Sequence, residues 1–131
     1  MKVTSAYTRL LVTDLKACLL FYKDVMEFPV NIEDEKSGYA EFQVGGMKLS
    51  LFRQQEMAEI IRTTDKPTEA ECQDKVALIF TVHDVDQEYH RLLHKNINFV
   101  TEPMNNTDYR IKTVYFRDPD GNLIGLYQFL D

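Results

Sequence analysis

Residues 115–128 read YFRDPDGNLIGLYQ, with Asp118-Pro119-Asp120-Gly121 at the centre. Pro119 presets φ for the second position of a type I turn. Asp118 offers a carboxylate to backbone N–H groups just ahead, and Gly121 can take φ > 0. The flanking runs, Thr113-Val114-Tyr115-Phe116 before the turn and residues 123–129 after it, alternate in character as strands do. The stretch predicts a hairpin whose register is pinned by its turn chemistry.

Working outward, the second half of the chain predicts a strand at 76–82, a helix at 84–95 and strands at 97–101 and 110–116. Val85, Tyr89 and Leu92 form the apolar face of that helix, and Asn96 suits a left-handed position closing it. The first half predicts the same order. A strand at 7–12 precedes a helix running from its cap Asp14 to about Glu27, with Leu15, Leu19, Tyr22 and Met26 on one stripe and Pro29 as a stop. Strands at 30–33, 39–44 and 47–52 follow, with Gly45-Gly46 as the tight turn. Residues 54–62 have helical spacing, and the polar stretch 63–74 reads as a connector.

The halves also share residues. LVTDL at 11–15 matches TVHDV at 81–85, and Leu49-Ser50-Leu51 matches Ile124-Gly125-Leu126. A duplicated unit of about 50 residues is the simplest account. The predicted fold class is α+β: two paired βαβββ modules, about 4–53 and 76–131. Their curled mixed sheets form a cleft with the helices outside.

At 131 residues, 44% hydrophobic and 27% charged, the chain fits one soluble globular domain. The net charge of −6 and the lack of a basic run argue against a nucleic-acid partner and favour a cationic small molecule. No apolar run approaches the roughly 20 residues of a membrane span, and no secretory leader is evident, so a cytoplasmic location is expected. Cys18 and Cys72 read as free thiols, Cys18 for packing or on the surface of the first helix and Cys72 exposed in the connector. His90 and His94 read as solvated helix residues, and His83 as a strand-end residue near the rim of the site.

Leu10-x-Val12-x-Asp14-Leu15, then Phe21-Tyr22, then FRDPDGNLIGLYQ resembles the vicinal oxygen chelate superfamily. This superfamily includes glyoxalase I, extradiol dioxygenases and bleomycin-resistance proteins. The resemblance spans nearly the whole chain and implies paired βαβββ modules, often as a homodimer. The first helix of such proteins usually ends in Gly, where this chain has Glu27. It also implies four metal-ligand positions, one on the first and one on the fourth strand of each module. Here they fall on Tyr7, Ser50, Ala77 and Gly125. Ala77 and Gly125 have no donor atom, and Tyr and Ser are poor ligands for zinc, nickel or iron. No cofactor is therefore expected, and a divalent metal only if a non-standard site recruits Glu41, His83 or Tyr7.

The strand alternation turns Tyr7, Arg9, Glu41, Lys48, Ser50, Phe52, Ala77, Tyr115, Gly125 and Tyr127 toward one face as the expected ligand-binding set, with Ala77 and Gly125 making room. Arg9 and Glu41 allow two readings: Arg9 grips a ligand carboxylate or phosphate, or the two form an ion pair. The ion pair is preferred. The expected function is metal-independent small-molecule binding like that of the bleomycin-resistance proteins. The alternatives are a glyoxalase-like lyase, isomerase or dioxygenase, and an interaction module docking through the helix at 54–62.

Overall fold

The computed structural model describes residues 2–68, 73, 74 and 76–131. Cys72, expected in the connector, lies outside them. The chain forms two compact units, Met1–Glu71 and Cys72–Asp131.

In the first unit, β1 (Thr8–Val12) leads into α1 (Leu15–Leu20), followed by β2 (Val30–Asp34), β3 (Tyr39–Val44), β4 (Met47–Arg53) and α2 (Gln54–Ile61). The sheet order is β1-β4-β3-β2, with β1 parallel to β4 and the other pairs antiparallel. Asp14 caps α1 by accepting the Ala17 N–H at 3.0 Å. Leu10 and Val12 of β1, Leu15 and Leu19 of α1, and Phe42, Leu49 and Leu51 of the sheet are buried together with Phe21 and Tyr22. Each such side chain contributes about 1.5–3 kcal/mol on burial.

One expectation fails here. The helix expected to run to about Glu27 is α-helical only to Leu20, and Phe21–Val25 is a π-helical turn. The wider turn accompanies three aromatic contacts of Tyr22, with Phe21, Phe28 and Phe42. Glu27 then takes φ 60°, a left-handed conformation that favours glycine.

In the second unit, β5 (Ala77–Thr81) precedes α3 (Val85–Leu92), β6 (Asn98–Phe99), β7 (Met104–Asn106), β8 (Ile111–Arg117) and β9 (Leu123–Phe129). The sheet order is β5-β9-β8-β6, with β7 paired to β8 beyond β6. Asp84 caps α3 as Asp14 caps α1, accepting the Gln87 N–H at 3.1 Å. Asn96 is left-handed as expected, at φ 57°. The strand expected at 97–101 shrinks to two residues, and β7 is an addition. Arg117 clamps Asp74 through two bonds of 2.8 and 2.9 Å, which fixes the approach to β5 and holds the Asp74 carboxyl below its ordinary range. No helix among the described residues is long and apolar enough to cross a membrane.

Candidate functional site

The strand period sorts the first sheet into two faces. Leu10, Val12, Ala40, Phe42, Leu49 and Leu51 are buried on one. Arg9, Tyr39, Glu41, Ser50 and Phe52 fall on the other. The register sets Arg9 and Glu41 on either side of Ser50, and Tyr39 beside Phe52.

The Arg9 guanidinium lies 5.5, 5.4 and 5.3 Å from the ring centres of Tyr7, Tyr39 and Phe52. Its Nε donates to Ser50 Oγ at 3.3 Å and its Nη2 to Tyr7 OH at 3.1 Å. Ser50 is fully buried beneath this group. The expected Arg9–Glu41 ion pair does not form among the described residues. Glu41 instead accepts from Tyr39 OH at 3.1 Å and from Asn31 at 3.2 Å. Burial, followed by the bond to Glu41, raises the Tyr39 phenol above its ordinary pKa. Lys48 is exposed at the hairpin end, opposite Gln43. Leu11, on the same face as Arg9, instead lines a small cavity of about 140 Å³ with Met57 and Ile61 of α2.

In the second sheet, Gly125 of β9 lies between Ile79 of β5 and Tyr115 of β8. A Cβ at Gly125 would stand 2.8 Å from the Tyr115 ring and 2.9 Å from Ile79. The missing side chain therefore does not open a space; Tyr115 and Ile79 occupy it, contrary to the expectation of room at this position. Ala77 is exposed at the start of β5. Tyr115 and Tyr127 share a short hydroxyl–hydroxyl hydrogen bond, with their rings edge to face at 6.0 Å. They form one wall of a cavity of about 500 Å³, which Thr113, Ile111, Met104, Asn105, Asn106 and Tyr109 complete.

The sequence pattern placed Tyr115 and Tyr127 but missed the wall from β7. Its Asn-rich composition hides a strand, although Asn106 accepting the Tyr109 N–H at 3.3 Å is a turn that composition could have suggested. His83, His90 and His94 are exposed.

Burial first, then the bond to Tyr127, pushes the Tyr115 phenol from 10.0 up to about 12. The neutral form is thus favoured in the folded protein. Its contribution to stability is complete below the ordinary tyrosine value and is lost as pH climbs from 10 to about 12. Tyrosinate absorbance should show Tyr115 ionising late, and Tyr127→Phe should return it toward the ordinary value.

The metal positions implied by the resemblance do not fit a metal. Ala77 and Gly125 offer no donor, and Tyr115 covers Gly125. Ser50 Oγ already accepts from a guanidinium whose positive charge opposes a second cation.

A glyoxalase-like domain model matches residues 6–131. The chain is 38% identical to the uncharacterized protein YraH of Bacillus subtilis over 122 residues, covering 93% of this chain and 95% of that one. It is 26% identical to the metallothiol transferase FosB of Staphylococcus saprophyticus, covering 88% and 70%. A glyoxalase/bleomycin resistance protein/dioxygenase structure from Nocardioides superposes with a TM-score of 0.72 at 23% identity, covering 100% of this chain and 87% of that one, a likeness of fold. The chain belongs to the glyoxalase-like domain family, within the vicinal oxygen chelate superfamily.

Proposed function

We propose that this protein binds a small, flat, cationic molecule reversibly and without a family-type metal, in the manner of the bleomycin-resistance proteins. The cavity at Tyr109, Tyr115 and Tyr127 carries the reading. Its lining supplies π faces for a cation and hydroxyl and amide groups to orient it, with no acid or base among them. The net charge of −6 raises the local concentration of cationic guests. Sequestration needs no reacting group, so the donor-poor metal positions are no obstacle to it.

Calorimetric titration with cationic aromatic dyes such as ethidium and methylene blue, with and without chelator, tests the proposal. A Kd on the order of 10 µM, unchanged by chelator, is expected for at least one dye. Tyr127→Ala should weaken it at least tenfold. Flat heats across the panel would reject the reading.

The likeness to FosB favours a second reading, a metal-dependent transferase or lyase with a non-standard site. Stoichiometric transition metal in protein purified without chelator would support it against the first.

A further inference from the structure

We infer that the first unit carries a separate oxyanion seat, in which Arg9 holds the carboxylate or phosphoryl group of a small organic ligand. Three observations converge on it. The rings of Tyr7, Tyr39 and Phe52 gather around the guanidinium within cation–π range and limit where it can move. Bonds to Ser50 and Tyr7 fix its rotation within that plane.

Both acceptors are neutral, so neither cancels the charge. Among the described residues no carboxylate forms an ion pair with the guanidinium; Glu41, across Ser50 on the same face, accepts instead from Tyr39 and Asn31. Arg9 nevertheless remains exposed, so an incoming group can reach the N–H edge that those bonds leave unused. An arginine held only as a packing element would ordinarily be neutralised by an acid or stretched along the surface. Here the fork is preorganised and, among the described residues, makes no ion pair. That arrangement suits bidentate recognition of an oxyanion, for which a lysine cannot substitute.

The test uses the whole chain, with benzoate and inorganic phosphate as probes at matched ionic strength and sodium chloride as the control. The NMR resonance of Arg9 Nε–H is followed through each titration. A saturable shift with benzoate or phosphate, absent with chloride, is expected, and benzoate alone or phosphate alone would identify the preferred group. Arg9→Lys keeps the charge but loses the fork, and should weaken binding at least tenfold with the thermal unfolding midpoint little changed. No saturable shift in the unmodified protein, or a shift equal to that of chloride, overturns the proposal whether or not the variant folds. Undiminished binding by a folded Arg9→Lys protein overturns it as well. This result is independent of the dye titration, which reads Tyr127 in the other unit.

Discussion

Asp118→Ala is expected to lose about 3 kcal/mol of stability, the sum of two stranded backbone donors and a lost charge-assisted bond. Asp118 is nearly fully buried in the β8–β9 turn. One of its oxygens accepts the N–H groups of Asp120 and Asn122 at 2.9 and 2.8 Å, and the other accepts the Asn122 amide at 2.8 Å. Its own N–H donates to Asn122 O and its carbonyl accepts from Gly121, closing the loop with Gly121 at φ 89°. Alanine supplies none of the side-chain acceptors and leaves the Asp120 and Asn122 donors turned inward. Urea unfolding should show the midpoint falling by roughly 2 M, with the slope unchanged. Asp118→Asn should fall between the two, since it keeps one acceptor but turns an amide donor toward that of Asn122. A loss below about 0.5 kcal/mol for alanine would show that the strands hold their register without the turn.

This turn was legible because its chemistry is local: a carboxylate, a proline and a glycine at fixed offsets determine most of the geometry. The same holds for the cap at Asp14 and for the left-handed Asn96. The π-helical turn at Phe21–Val25 was not legible, since it accompanies contacts of Tyr22 with residues as distant in sequence as Phe42. β7 was hidden by the turn-like composition of residues 104–107. Alternation placed Arg9, Glu41 and Ser50 on one face, and the strand register sets Ser50 between the other two. It could not tell that Glu41 would bond to Tyr39 and Asn31 while three rings gathered around Arg9. Those choices depend on side-chain reach across strands, which the period of 2 does not encode.

Gly125→Ala is expected to destabilise the protein by about 2 kcal/mol although it adds a single methyl group, because overfilling a packed site forces neighbours from their minima. The new Cβ would stand 2.8 Å from the Tyr115 ring and 2.9 Å from the Ile79 terminal methyl. Ile79 can rotate away. Tyr115 is a rigid ring tied at its far end to the Tyr127 hydroxyl, so it can yield only by breaking that bond. Thermal unfolding should therefore fall by roughly 8 °C. Tyrosinate titration of the same variant should show the late-ionising phenol moving back toward its ordinary value as Tyr115 leaves Tyr127. The dye affinity expected of the cavity should decline with it, since both rings form its wall. In a Tyr115→Ala background the obstruction is gone, so the same methyl should cost less than 0.5 kcal/mol, giving a coupling of about 1.5 kcal/mol between the two positions. Equal costs in both backgrounds would mean that the cost of the methyl does not come from Tyr115. The obstruction would then lie at Ile79, the other neighbour of the bare position on β9.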